Sequence, residues 1–228
     1  MANPHRQIGR RRLAIIDYGM GNLASVRNAA KFLGYEARVT DDARTLRDAD
    51  CYVLPGVGAF AVAMSNLRQL GLDSALKEEV VEKRKPLLGI CLGMQLLARD
   101  SLEMGLHEGL SWIDAHVVPL REAPGTRVPH VGWSELHQPR DTLFEGLEAG
   151  ASFYFDHSYR FDCAPHLAIA QCMHGSSFVA AVRQDNIFAT QFHPEKSQRS
   201  GLKLLRNFLN YCESAAPAGA ANSIEYAS

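Results

Sequence analysis

The chain has 228 residues, a formal net charge of −1, 46% hydrophobic residues and 21% charged residues. This composition excludes global disorder, and the balanced charge gives no sign of nucleic-acid binding through the phosphate backbone. No apolar run approaches the ~20 residues that span a membrane, and the five cysteines are widely spaced without a C-x-x-C pair. We therefore expect a cytoplasmic protein with no metal site, no cofactor, no membrane contact and no nucleic-acid partner.

Short apolar runs alternate with segments of helical periodicity in the first hundred residues. The pattern predicts a strand at 13–18, a helix at 23–33, a strand at 36–40, a short helix after Asp42, a strand at 51–54, a helix at 66–84, a strand at 87–90 and a helix at 92–100. This alternation predicts an α/β fold with an open, mostly parallel or mixed sheet flanked by helices, as in flavodoxin-like folds. Tyr18-Gly19, Pro55-Gly56 and Cys91 all fall at carboxyl ends of strands, where such sheets bind ligands.

The second half carries mainly strand signals. Apolar, aromatic or β-branched runs predict strands at 115–120, 152–159, 167–172, 178–183 and 187–192, followed by an amphipathic helix at 199–212. Asp185-Asn186 is typical of a tight hairpin turn. We predict one α/β domain over residues 12–214, with a flexible basic tail at 1–11 and a flexible tail at 215–228.

Gly89-Ile90-Cys91-Leu92-Gly93 has the G-x-nucleophile-x-G form of a strand-to-helix turn. Such a turn projects the sulfur outward and places it at a helix N-terminus, where the helix dipole favours thiolate. The backbone N–H groups after Cys91 become candidate donors to an oxyanion. A buried core thiol gives the same string, so this segment alone leaves both interpretations open.

A candidate base follows the last predicted strand in A-T-Q-F-H-P-E-K-S (189–197). Pro194 biases His193 to an extended conformation, in which His193 and Glu195 face the same side. The carboxylate then orients the imidazole and stabilises its cation, which completes the logic of a catalytic triad with Cys91. The chain order Cys, His, Glu disfavours an α/β-hydrolase, in which the acid precedes the histidine.

These residues resemble the class I (triad) glutamine amidotransferases, which carry G-I-C-L-G-M-Q and Q-F-H-P-E as paired segments. I-I-D-Y-G-M-G-N-L (15–23), L-P-G-V-G-A-F (54–60), V-P-H-V-G-W (128–133) and H-P-E-K-S (193–197) are similar to the amidotransferase subunits of imidazole glycerol phosphate synthase. The resemblance covers residues 12–212. It implies hydrolysis of glutamine and delivery of the ammonia to a (β/α)₈-barrel cyclase subunit in histidine biosynthesis.

The resemblance also implies roles for individual residues. Cys91, His193 and Glu195 would be catalytic, with an oxyanion hole from the backbone of Leu92, Val57 and Gly58; glutamine would be bound by Gln95, Gly56, His157, Ser158 and Tyr159; and Asn22, Trp133 and Lys196 would lie near the cyclase. Trp133 also suits a core position, Gln95 a helix surface, and His130 a structural role. The cysteines other than Cys91 are interpreted as buried packing thiols.

Three alternatives remain open at this point. A same-fold amidotransferase serving another synthase would keep the triad and change the partner. A partner-independent cysteine hydrolase would ignore glutamine. A non-catalytic regulatory subunit would keep the fold and lose the triad, which this sequence retains.

Overall fold

The computed structural model of the protein describes residues 11–215. Its strands, in chain order, are β1 Leu13–Ile16, β2 Ala37–Thr40, β3 Cys51–Gly56, β4 Leu87–Cys91, β5 Asp100–Ser101, β6 His107–Glu108, β7 Ala115–Pro119, β8 His130–Glu135, β9 Ser152–His157, β10 Tyr159–Cys163, β11 Ala168–His174, β12 Ser176–Gln184 and β13 Ile187–Thr190. Its helices are α1 Leu23–Phe32, α2 Ala43–Leu46, α3 Phe60–Gln69, α4 Leu72–Leu76, α5 Leu92–Gln95 and α6 Gln198–Ser214. A π-helical segment, Lys77–Glu82, continues α4, and short 3₁₀ turns span Thr142–Phe144 and Pro194–Lys196.

Eleven of these strands form one mixed sheet in the order β2-β1-β3-β4-β13-β12-β10-β7-β5-β6, with β11 added beside β12. The half from β2 to β13 is parallel, whereas β13, β12, β10 and β7 run antiparallel to one another. β8 and β9 form a separate antiparallel pair. The predicted α/β architecture with a mixed sheet is confirmed.

The inner strands of the parallel half of the sheet are buried on both faces. Every residue of β1, β3 and β4 is buried, which matches their continuous apolar sequences. Along β1, Leu13 and Ile15 belong to one hydrophobic cluster, while Ala14 and Ile16 belong to the other. The alternation of side chains along the strand thus joins β1 to the cores on both sides of the sheet.

The hairpin between β12 and β13 has the predicted turn. Asp185 and Asn186 connect Gln184 to its partner Ile187, and Asp185 adopts a positive φ of 55°. Aspartate tolerates this left-handed conformation better than most residues. The turn brings β13 back beside β4, so the residues that follow β13 lie at the same sheet edge as Cys91.

The predicted helix at 66–84 is wrong in both its start and its continuity. The helical segment begins at Phe60, whose N–H donates to the Glu103 carboxylate at 2.6 Å, although Glu103 is far away in sequence. It breaks at Gly71, which has a φ of 65°, and resumes as α4. Glycine supplies that left-handed conformation without steric cost.

Three further expectations need correction. The predicted helix at 92–100 ends at Gln95, because the carbonyls of Leu96, Leu97 and Ala98 accept hydrogen bonds from residues 110–113 instead of extending the helix. The predicted strand at 152–159 ends as β9 at His157, because the chain changes pairing partner after Ser158, and Tyr159 already belongs to β10. β5, β6, β8 and all of β10 beyond Tyr159 were not predicted.

The predicted tails lie outside the described residues, apart from Arg11 and Ala215. These two residues meet, since the Arg11 guanidinium donates to the Ala215 carbonyl at 2.5 Å. No helix within residues 11–215 combines the length and apolar character needed to cross a membrane.

Candidate active site

Cys91 occupies a strained turn between β4 and α5. It adopts φ 55° and ψ −111°, a conformation that non-glycine residues rarely take. A Cβ on Gly93 would overlap the Leu54 carbonyl oxygen, and a Cβ on Gly89 would lie 2.9 Å from the Gly93 oxygen. Glycines on both sides are therefore required for this packing, as the G-x-C-x-G string predicts.

The helix after Cys91 is much shorter than predicted. α5 contains only four residues, so the macrodipole of a long helix is not available to stabilise a thiolate. The prediction that a helix dipole favours the Cys91 thiolate is therefore wrong. Stabilisation of a charged sulfur has to come from the neighbouring side chains instead.

His193 and Glu195 form a buried pair just beyond β13. The Nδ1 atom of His193 lies 2.8 Å from Oε1 of Glu195, and the two side chains are 2% and 1% exposed. His193 has the predicted extended backbone, whereas Glu195 lies in the 3₁₀ turn that Pro194 begins. The turn, rather than a continuing strand, brings the carboxylate beneath the imidazole.

Burial alone would lower the pKa of His193, but hydrogen bonding and charge from Cys91 and Glu195 outweigh it and raise the pKa to about 10. The imidazole Nε2 is buried and makes no hydrogen bond of good geometry within the described residues. The second carboxylate oxygen, Oε2 of Glu195, is also buried without a partner there. The arrangement favours the imidazolium form of His193 beside Cys91 and Glu195.

Amide groups surround the Cys91 sulfur. Its Sγ lies 3.7 Å from the Asp156 carbonyl and 3.8 Å from the Gln191 Nε2, which donates to it. Gln191 in turn accepts from Gln95 at 3.0 Å, and Gln95 also donates to the Tyr159 carbonyl at 3.2 Å. Gln95 is buried, so its interpretation as a surface residue is wrong. Sequence reasoning missed Gln191, which stands two residues before His193 in the Q-F-H-P-E segment.

A chain of hydrogen bonds holds His157 in place. Its Nδ1 lies 2.8 Å from the Tyr159 carbonyl, which only accepts, so Nδ1 carries the proton and Nε2 accepts from His130 Nδ1 at 3.0 Å. His130 Nε2 then accepts from the Ser134 hydroxyl at 2.9 Å. Burial is the largest cause that lowers the pKa of His130 to about 3 and that of His157 to about 4. Both rings are therefore neutral at physiological pH, and both His157 nitrogens are already engaged.

The 55–58 loop lies directly beside Cys91. Gly56 pairs with Cys91 in the register of β3 and β4, and a Cβ on Gly56 would lie 2.9 Å from the Gly93 nitrogen. Gly58 has a φ of 106°, and the Val57 side chain is exposed. The backbone of this loop and of Leu92 is thus adjacent to the sulfur, where an oxyanion hole is expected.

Two of the predicted partner-facing residues converge on one aromatic ring. The exposed Trp133 packs edge-on to Tyr154 with ring centroids 6.1 Å apart, and the Lys196 ammonium lies 5.4 Å from the Tyr154 ring centre. Trp133 is 46% exposed, so its interpretation as a core residue is wrong. Asn22 caps α1 by accepting from the Ser25 N–H. Sequence reasoning missed Tyr154.

The remaining predicted residues are placed as follows. Ser158 lies between β9 and β10, and its carbonyl accepts from the Leu120 N–H. His130 is buried and stacks on His174 and Phe155, in line with a structural role. Among the packing thiols, Cys51, Cys172 and Cys212 are buried, but Cys163 is partly exposed and does not fit that interpretation.

Comparison with known proteins identifies the family. The model of the glutamine amidotransferase class-I family matches residues 14–212. Imidazole glycerol phosphate synthase subunit HisH 1 of Campylobacter jejuni is 46% identical over 86% of this chain and 98% of its own length. The HisH subunit of Aquifex aeolicus is 45% identical over 89% of this chain and 98% of its own length.

Solved structures share the fold at lower identity. A glutamine amidotransferase from Thermotoga maritima has a TM-score of 0.64 at 17% identity, covering 90% of this chain and 99% of its own. PurLQS from the same organism has a TM-score of 0.62 at 22% identity, covering 89% of this chain and 99% of its own. The chain therefore belongs to the class I glutamine amidotransferases and, within them, to the family of HisH subunits of imidazole glycerol phosphate synthase.

Proposed function

We propose that this protein is the glutaminase subunit of an imidazole glycerol phosphate synthase, acting in histidine biosynthesis. The observation that carries the proposal is the buried group of Cys91, His193 and Glu195 at the carboxyl edge of the sheet, with the cysteine in a strained turn. Membership of the HisH family directs that chemistry to glutamine. The reaction converts glutamine and water to glutamate and ammonia.

Acylation begins when the Cys91 sulfur attacks the carboxamide carbon of glutamine. His193 takes the proton of the thiol as the sulfur attacks, because the raised pKa of that ring favours its cation beside Cys91 and Glu195. His193 then protonates the departing nitrogen, the carbon–nitrogen bond breaks, and ammonia leaves behind a glutamyl thioester on Cys91. Glu195 keeps the imidazole oriented throughout, through its bond to Nδ1.

Deacylation uses the same residues, with His193 now acting first as a base. His193, now neutral, takes a proton from water as the water attacks the thioester carbon, and the carbon–sulfur bond breaks to release glutamate. Each tetrahedral intermediate carries an oxyanion, which would accept from the backbone N–H groups of Leu92 and of Val57 or Gly58. Removing one donor of this kind typically costs ~3 kcal/mol of transition-state stabilisation.

Glutamine would be held between the 55–58 loop and the segment 157–159. Gly56 allows the loop backbone to pack closely against Gly93 and Leu92, so the loop lies beside Cys91 where the substrate carboxamide would bind. The His157 ring is already engaged by protein partners, so Ser158 and Tyr159 would contribute the contacts from that segment. Gln95 orients the wall of the pocket through its bonds to Gln191 and to the Tyr159 carbonyl.

Ammonia released into bulk water would be protonated and lost as a nucleophile, so the reaction requires a docked acceptor. We propose a (β/α)₈-barrel cyclase subunit as that partner. It would combine the ammonia with a phosphoribulosyl-formimino-carboxamide ribonucleotide to give imidazole glycerol phosphate and aminoimidazole-carboxamide ribonucleotide. Asn22, the exposed Trp133 and the half-buried Lys196 would lie at this interface, since an exposed tryptophan suits an interface anchor.

The triad requires reduced sulfur, which supports a reducing compartment. All five cysteines, which lie within residues 11–215, are free thiols. We propose that the reaction takes place in the reducing cytoplasm.

The test is a glutaminase assay of the isolated chain and of its mixture with a cyclase subunit. We expect weak hydrolysis from the isolated chain and strong stimulation when the cyclase and its ribonucleotide ligand are present, with imidazole glycerol phosphate as product. A chain that hydrolyses glutamine rapidly on its own would contradict gating by the partner. Stimulation by a different synthase, and none by the cyclase, would favour the alternative of another amidotransferase.

A further inference from the structure

A chain of hydrogen bonds ends on the backbone of segment 157–159, which is proposed to bind glutamine. It runs from the Ser134 hydroxyl to His130, from His130 to His157, and from Nδ1 of His157 to the Tyr159 carbonyl. His130 and His157 are buried, at 3% and 6% exposure. The catalytic scheme assigns no role to either ring, although each has a defined partner at both of its nitrogens.

The Tyr159 carbonyl sets the direction of this chain. A carbonyl only accepts, so Nδ1 of His157 has to carry a proton. Its Nε2 is then an acceptor, because the lowered pKa values of His130 and His157 keep both rings neutral. The donor to that Nε2 is Nδ1 of His130, at 3.0 Å. The proton on His130 therefore selects the tautomer of His157 that can donate to Tyr159.

Packing holds the His130 ring in the orientation that this contact needs. The ring stacks on Phe155 and on His174, with ring centroids 4.7 Å and 4.1 Å away. Stacking fixes the plane of the ring, and the Ser134 hydroxyl, 2.9 Å from Nε2, favours this orientation over the one turned by 180°. Nδ1 of His130 is therefore directed at His157 by contacts that do not involve the substrate site.

The Tyr159 carbonyl is the point where this chain reaches the substrate site. It accepts from Nδ1 of His157 at 2.8 Å and from Nε2 of Gln95 at 3.2 Å, so both of its lone pairs are engaged. The preceding carbonyl, that of Ser158, accepts from the Leu120 N–H at 2.9 Å. Both peptide planes around Tyr159 are thus fixed by hydrogen bonds.

We propose that His130 is a positioning residue for glutamine: by donating to Nε2 of His157, it holds that ring in the tautomer that fixes the Tyr159 carbonyl. The proposal rests on the proposed function, because it takes segment 157–159 as part of the glutamine site. Without its donor, Nε2 of His157 would be a buried acceptor left unpaired. A shift of the His157 proton to Nε2 would then set two acceptors against each other at Tyr159, while the triad would be unchanged.

The test uses two amide side chains that imitate different nitrogens of the ring. Asparagine places its amide near the position of Nδ1, whereas glutamine places its amide near the position of Nε2. His130→Asn can therefore still donate to His157, and His130→Gln can reach only Ser134. Both substitutions remove the same ring stacking, so the difference between them isolates the bond to His157. Glutaminase kcat and KM are measured with saturating cyclase and its ligand, and thermal unfolding reports the stability of each variant.

We expect His130→Gln to raise KM for glutamine by about threefold to tenfold, the factor that corresponds to one lost buried hydrogen bond, and to leave kcat near wild type. His130→Asn should keep a KM close to that of wild type. A purely structural role would change both variants alike. Equal KM values in the two variants, or an effect on kcat alone, would overturn the role of His130 while leaving the proposed function intact.

A double-mutant cycle gives a second arm. In His157→Asn, the amide at the Nδ1 position can donate to the Tyr159 carbonyl whatever residue stands at position 130. Adding His130→Gln to His157→Asn should therefore cause no further rise in KM, whereas the same substitution raises KM in the wild-type background. Equal effects of His130→Gln in the two backgrounds would contradict the proposal.

Nitrogen NMR of the histidine-labelled chain tests the tautomer without relying on activity. The His157 signals are assigned by their loss in His157→Asn, and wild type should carry the His157 proton on Nδ1. A wild-type spectrum with that proton on Nε2 would overturn the proposal. A wild-type complex that does not hydrolyse glutamine would instead refute the proposed function itself, and the role of His130 with it.

Discussion

Replacing Glu195 with glutamine removes one charge from the triad and changes little else. The side chains have nearly the same shape, and the amide oxygen of glutamine can still accept from Nδ1 of His193. What is lost is the negative charge 2.8 Å from the imidazole, in a site where both side chains are at most 2% exposed. Because water cannot screen this interaction, the change should lower the pKa of His193 and weaken its capacity to take the thiol proton of Cys91.

The magnitude follows from the kind of bond. A hydrogen bond to a charged group contributes about 1.5–3 kcal/mol, and a positive charge is present or develops on His193 in the transition states of both acylation and deacylation. At 1.36 kcal/mol per decade, the loss corresponds to a decrease of about 10-fold to 150-fold in kcat. KM for glutamine should change little, since Glu195 lies behind His193 and away from the substrate.

The assay compares glutamine-dependent and ammonia-dependent synthesis in the complex with the cyclase. Glu195→Gln should lower only the glutamine-dependent rate. Glu79→Gln is a matched control, because Glu79 is also buried and paired, with Lys83 and Lys85, but has no link to Cys91. A Glu195→Gln enzyme with a kcat within twofold of wild type would refute the role assigned to the carboxylate. A lowered melting temperature of the Glu195→Gln chain, absent in Glu79→Gln, would instead indicate a damaged fold.

Three further outcomes are expected. Gly93→Ala should abolish glutaminase activity and lower the melting temperature, because its Cβ would overlap a carbonyl of β3; an active, stable variant would contradict the packing of the turn. Gln191→Met should raise KM for glutamine, because Gln95 loses the acceptor that orients it; a change in kcat alone would argue against this. Because the pKa values of His130 and His157 are lowered to about 3 and about 4, the folded state binds fewer protons than the unfolded state below pH ~6.5. Chemical denaturation should therefore show the free energy of unfolding falling from pH ~6.5 toward pH ~4, by up to about 2.7 kcal/mol per pH unit. A free energy of unfolding that stays constant over this range would contradict the burial of His130 and His157 as neutral rings.

The residues at the site could be predicted because local rules determine them. A strand that runs into a glycine-flanked cysteine can turn into a helix in few ways, and Cys91 has the backbone strain that such a turn requires. Pro194 restricts His193 in the same local manner. Parallel pairing of β4 with β13 then brings the two segments to one edge, which follows from the alternation of strands and helices.

The missed features depend on contacts between distant parts of the chain. α3 begins at Phe60 because the Glu103 carboxylate accepts from the Phe60 N–H, and no local sequence pattern predicts that contact. β8 contains Gly132 with a φ of 139°, which interrupts the regular alternation of a strand, and its identity becomes clear only from its pairing with β9.

Gln191 and Tyr154 were missed for a related reason. Both residues lie within predicted strands. The contacts that give each one a role are made by side chains of other secondary-structure elements. Gln191 meets Gln95 and the Cys91 sulfur across the sheet, and Tyr154 meets Trp133 and Lys196. Side-chain networks of this kind follow from tertiary packing rather than from periodicity.

The most direct test of the account is the effect of Cys91→Ala on the complex with the cyclase. Formation of imidazole glycerol phosphate is measured once with glutamine and once with ammonium salt as the nitrogen source. The account predicts no glutamine-dependent synthesis and a normal ammonia-dependent rate, since only the cysteine that forms the thioester is removed. Unchanged glutamine-dependent synthesis in this variant would contradict the assignment of Cys91 as the nucleophile.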